Sequence, residues 1–145
     1  MKRLPILFGF LMSAGACTSQ AVVNQSQLPV APVLTVERFL QAANTRDLET
    51  MSRLFGTADG PIGDSGKREE IELRMDVIAE ILQHYDYEIV SERVVPGAEV
   101  LSNRIGVDFT LPQGLRIRDV GFTVVLESAD RWIIDVIELV KITEA

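Results

Sequence analysis

The chain has 145 residues, of which 47% are hydrophobic and 24% charged, with a formal net charge of -7, one histidine and one cysteine. That length suits one globular unit, a lone thiol makes no disulfide within the chain, and the acidic balance disfavours non-specific binding to phosphate backbones or anionic lipid, and so nucleic acid as a partner.

Residues 1–16 read as a targeting segment: Lys2 and Arg3 make a positive start, an apolar run follows to Met12, and Ser13, Ala14, Gly15 and Ala16 form a small-residue exit. The run is too short to span a bilayer. Ala14-Gly15-Ala16 fits a general signal-peptidase site, with cleavage after Ala16, yet the only cysteine, Cys17, follows immediately. The segment resembles a bacterial lipoprotein signal, departing from it at Ala14, where leucine is usual. The resemblance implies lipidation of Cys17, attachment to the membrane through that lipid, and, with Thr18 rather than aspartate next, an outer-membrane address with the domain in the periplasm. Two or more acyl chains give the stable hold that one does not. Removing Lys2 and Arg3 from the 14 basic residues leaves 12 against 21 acidic ones, a formal charge of -9 for the mature chain.

Residues 17–34 form the lipidated N-terminus and its tether. From residue 18 the stretch is uncharged, rich in Ser, Gln and Val, and carries Pro29 and Pro32. Extended, it reaches on the order of 50 Å. Val22, Val23, Leu28 and Val30 leave open that part of it docks on the domain.

The folded unit is expected over residues 35–145. Thr35 suits an N-cap, with Val36, Phe39, Leu40 and Ala43 on one helical face. Asp47 caps a second short helix that carries Leu48, Met51, Leu54 and Phe55, and the glycine-dense loop 56–66 turns at the surface. A longer helix follows over 67–85, with Ile71, Met75, Ile78, Leu82 and Tyr85 on its apolar face. The period then changes to two. Tyr85, Tyr87 and Ile89 mark one strand, Ile105, Val107, Phe109 and Leu111 a second, residues 115–127 a third and residues 132–142 a fourth. Short connections make them antiparallel, so the fold class is α+β, N-terminal helices packed on a sheet of about four strands.

The stretch VERFLQAANTRDLETMSRLF, with its helix, Asp47 break and second helix, and the closing RWIIDVIEL strand are similar to the NTF2-like, or cystatin-like, superfamily. The resemblance implies a bent sheet wrapped around a long helix as a cone. Between Phe55 and Lys67 there is little room for the first hairpin that many members have.

Enzymes of that superfamily place an aspartate base with tyrosine or histidine partners inside the cone. The available parts here are His84, Tyr85, Tyr87, Asp108 and Asp119, and none matches that pattern position by position. Asp108 alternates with Val107 and Phe109 and so is expected on a solvated face, as is Asp119 beside Arg118. His84 reads as a surface histidine at a helix end, where the dipole favours a cation. No catalytic residue, metal site or cofactor is assigned. Gly66-Lys67 fails as a phosphate loop, because Pro61 stands at the first glycine position and Arg68 replaces Ser or Thr. Phe39, Phe55, Tyr87, Phe109, Phe122 and Trp132 are the candidates to line a cavity, with core packing the default at these spacings. The expectation is a cell-envelope lipoprotein whose domain binds or scaffolds, with a protein of the envelope as partner. A carrier of small apolar ligands or lipid and an isomerase- or cyclase-type enzyme are the rival readings.

Overall fold

A sheet of four strands needs one face covered, and three helices supply the cover. The computed structural model describes residues 31–145; the signal segment, Cys17 and the tether up to residue 30 lie outside the described residues. In chain order the elements are α1 (Pro32–Thr45), α2 (Leu48–Leu54), a two-residue hairpin of β1 (Gly56–Thr57) and β2 (Gly60–Pro61), a 3₁₀ turn, α3 (Arg68–Ile81), β3 (Asp86–Val94), β4 (Ser102–Thr110), β5 (Arg116–Leu126), β6 (Trp132–Ile137) and a last turn, α4 (Val140–Thr143). The main sheet is antiparallel throughout in the order β3-β4-β5-β6, so every strand pairs with its neighbour in sequence. The α+β architecture is therefore the expected one, and the short space before Lys67 holds a minimal hairpin in which Gly56 faces Pro61.

The first helix starts at Pro32, not at Thr35. Proline fits the first turn because its missing N–H would have no helical partner there. Thr35 lies one turn inside, its N–H donating to the Ala31 carbonyl at 3.1 Å. Asp47 caps α2 as expected, accepting from the Thr50 N–H at 3.0 Å and the Thr50 hydroxyl at 2.7 Å. The third helix ends at Ile81, four residues earlier than the apolar spacing predicts. Its end is held by α1: Gln83 Nε2 donates to the carbonyls of Ala43 and Ala79, at 2.9 and 3.1 Å, while Asn44 and the His84 backbone exchange two hydrogen bonds. Tyr85 thus leaves the helical face, pairs its N–H with the Thr110 carbonyl and stands 83% exposed. The last strand also stops early, at Ile137, and residues 140–143 wind into α4.

Each ladder of the sheet carries a register shift. Val90 is the extra residue in β3, Arg118 and Asp119 oppose the single Asp108 across β5 and β4, and Asp135 is extra in β6. Such bulges bend a strand and raise its twist. The inner face carries Ile105, Val107, Phe109, Val120, Phe122, Val124 and Ile134, which α1 covers with Val36, Phe39, Leu40 and Ala43, while Met51, Met75 and Leu82 close the same core from the other helices.

Because Phe122 is fully buried and Leu73 is 67% exposed, Phe122→Ala should cost about 3–5 kcal/mol and Leu73→Ala less than about 0.5 kcal/mol. Urea unfolding of the two variants measures both.

Candidate functional site

The aromatic residues named from sequence do not gather around one open space. Phe39, Phe109 and Phe122 are sealed in the core, with the Phe109 and Phe122 rings 6.3 Å apart. Phe55 is half-buried and stacks on Phe39 at 6.2 Å. Tyr87 lies at the mouth of a surface groove, and Trp132 sits beside the first turn of α1, where the Thr35 hydroxyl donates to its carbonyl at 3.4 Å.

That groove, of about 520 Å³, runs between the outer side of α1 and the start of β3. Glu37, Gln41 and Asn44 line it from the helix, and His84, Asp86 and Tyr87 from the strand side. Helical spacing of three and four brings the first three together; the end of α3 and the entry to β3 deliver the others. His84 is not a free surface histidine. Its ring packs edge-on against Tyr87 and tilts over Phe109, both at 5.4 Å between centroids. Nδ1 lies 2.7 Å from the Leu82 carbonyl, so this nitrogen donates, and in the neutral ring Nε2 is left as the acceptor. Burial, then the carboxylates of Glu37 and Asp86, push the Tyr87 hydroxyl up and keep it protonated. The groove therefore offers hydrogen-bond donors and acceptors beside aromatic rings.

The sequence-named aspartates lie on the other side of the sheet. Asp108 points away from the core, as its alternation with Val107 and Phe109 predicts, but it is only 8% exposed and not solvated. The cause is the β5 bulge: Asp119 takes a left-handed φ of 50° and turns its N–H onto Asp108 Oδ1 at 2.9 Å, while Arg116 covers Oδ2 at 3.1 Å. That backbone N–H, followed by Arg116, holds the Asp108 carboxyl below the ordinary carboxylate range. Asp119 is likewise engaged. Arg104 reaches it at 3.0 Å and Glu138 at 3.0 Å, and Lys141 adds a contact of 2.8 Å to Glu138. The Arg104 guanidinium lowers Asp119 and, with Lys141 and the Gly121 N–H, brings Glu138 down to about 2.

This outer-face network rests on two glycines that face each other in register, Gly106 and Gly121. A Cβ on Gly106 would stand 2.4 Å from both Asp119 Oδ1 and the Ser91 hydroxyl, and one on Gly121 2.5 Å from Glu138 Oε1 and 2.6 Å from Arg104 Nε. The bare backbone is the floor on which the guanidinium lies.

Arg104, Arg116, Glu138 and Lys141 were not singled out from sequence. The partial signal was Arg104-x-Gly106-x-Asp108, which period two puts on one face, but the partners lie 15 and 34 residues away. Among the described residues no group of three metal-ligating side chains is brought together, and no helix is long and apolar enough to cross a membrane. No known family model matches the chain, and no curated protein matches it.

Arg104 is 18% exposed but its partners Asp119 and Glu138 are 48% and 34% exposed, so with solvent screening Arg104→Met should destabilise the fold by about 1–3 kcal/mol at neutral pH, below the range for breaking a fully buried pair. The folded chain holds Glu138 at about 2 against its ordinary 4.5, so the network's contribution is complete above that ordinary value and fades as pH falls through about 2. Urea titrations of wild type and variant should therefore converge on acidification. Gly121→Ala, which forces Glu138 and Arg104 aside, should cost about 1–3 kcal/mol in the same assay.

Proposed function

We propose that this protein is a bacterial cell-envelope lipoprotein, held through acylated Cys17 with its domain in the periplasm, and that the domain is NTF2-like and serves binding rather than catalysis. The anchor reading rests on the sequence of residues 1–17: a positive start, a short apolar run, small residues and then the single cysteine. An outer-membrane address follows from Thr18 by the same resemblance.

One observation carries the non-catalytic reading. The two candidate aspartate bases, Asp108 and Asp119, are ion-paired with Arg116 and Arg104 on one face of the sheet, whereas His84 packs on the Phe109 ring from the other. A general base needs a carboxylate poised near the working pH and within hydrogen-bond reach of its proton. Carboxylates lowered by the Asp119 backbone N–H and by arginines, with a sheet between them and the histidine, meet neither condition. The fully buried Phe39, Phe109 and Phe122 occupy the space under the helices, which weighs against a carrier with an interior pocket. The groove beside α1 is then the surface with the best-formed recognition groups: the His84 ring, the protonated Tyr87 hydroxyl and the Glu37 and Gln41 side chains.

Cys17→Ala should move the protein from the membrane to the soluble fraction of a cell lysate; an unchanged membrane fraction refutes the anchor. Asp119→Asn, which leaves the groove untouched, should complement a deletion strain as well as wild type does. Loss of complementation by a variant with unchanged unfolding would overturn the non-catalytic reading.

A further inference from the structure

Arginines from three separate elements line one pocket. Arg38 of α1, Arg53 of α2 and Arg131 of the β5–β6 turn line a pocket of about 210 Å³ together with Thr35, Leu54 and Trp132. In a chain of net charge -7 such a gathering of one sign is uncommon ground, and none of the three arginines adjoins another in sequence. The three differ in how firmly they are held. Glu127, whose side chain is 3% exposed, takes the Arg131 Nε. That bond fixes the guanidinium and leaves its two terminal nitrogens without a partner among the described residues. Arg53 shares an exposed contact of 2.9 Å with Glu49, of the kind that contributes little and gives way easily. Arg38 has no carboxylate partner among the described residues.

Trp132 supplies an apolar wall and a single N–H donor. The pocket is below the usual size for a drug-like or cofactor ligand, and the three arginines beside its apolar wall suit it to a small anionic group. Guanidinium forks match the oxygen geometry of phosphate and bind it bidentately. Thr35, in the first turn of α1, ties the helix to the pocket wall, its hydroxyl donating to the Trp132 carbonyl.

We propose that the Arg38–Arg53–Arg131 pocket binds a phosphate group, presented either by a free phosphorylated solute or by the headgroup of an anionic lipid. Trp132 is the only tryptophan of the chain, so its fluorescence reads the pocket directly. The full chain is titrated with inorganic phosphate, with glycerol 3-phosphate and with phosphatidylglycerol vesicles, each against sodium chloride at matched ionic strength and, for the vesicles, phosphatidylcholine. A saturable change in Trp132 emission that chloride does not reproduce is expected, weakened roughly tenfold or more by Arg38→Gln and largely restored by Arg38→Lys. Saturation by the soluble phosphates assigns a free solute as the source. Arginine-dependent saturation by phosphatidylglycerol vesicles alone assigns the lipid headgroup. Arg53→Gln, at an exposed position, serves as the second variant. No saturable response to any of the three, or a response unchanged in both glutamine variants, overturns the proposal, and neither result bears on acylation of Cys17.

Discussion

Burial of one face of the four-stranded sheet under α1 decides where every other group in this molecule can lie. The helix and the inner face share a core of Val36, Phe39, Leu40, Val107, Phe109, Phe122 and Val124, and close packing of such side chains leaves no room there for a charge without a large desolvation cost. Carboxylates on the inward positions of β4 and β5 would be intolerable. They occur instead on the alternate positions, where arginines and backbone N–H groups stabilise them. The outer face is not simply wet, however. Gly106 and Gly121 lower its floor, the Arg104 guanidinium lies across it, and Asp119 and Glu138 close on either side. A charged layer therefore backs the apolar one.

The same division separates the chemistry. His84 and Tyr87 share ring contacts at the end of the inner layer, while Asp108 and Asp119 belong to the outer layer and are committed to arginines. Ion pairs of this kind lower a carboxylate's pKa, the opposite of what a general acid or base near neutrality requires. Recognition on the surface of α1 is compatible with this arrangement, since it needs only fixed donors, acceptors and rings. The groove and the arginine pocket both border that helix, one beside the histidine and the other beside the tryptophan, with Arg38 lining both.

Much of the fold is legible in the sequence because it rests on local periodicity. Ile71, Met75, Ile78 and Leu82 announce the apolar side of α3, and Ile105, Val107 and Phe109 the inner face of β4. Tyr85 continues the helical spacing by coincidence. What ends the helix is a pair of polar side chains, Gln83 and the distant Asn44, and no local pattern reveals that pairing. Bulges are equally silent, since one extra residue changes register without changing composition. The burial of Asp108 follows from such a bulge, so alternation gives its direction but not its environment. The arginine clusters depend on residues far apart in the chain, which only the completed topology brings together.

The claim that the sheet's carboxylates are structural and not catalytic is tested most directly by following the side-chain carboxyl carbons of Asp108, Asp119 and Glu138 by NMR through a pH titration of the folded protein. All three should titrate below the ordinary carboxylate range, with Glu138 at about 2. An Asp108 or Asp119 that titrates above that range, toward neutrality, would contradict the account and return that residue to the list of acid–base candidates.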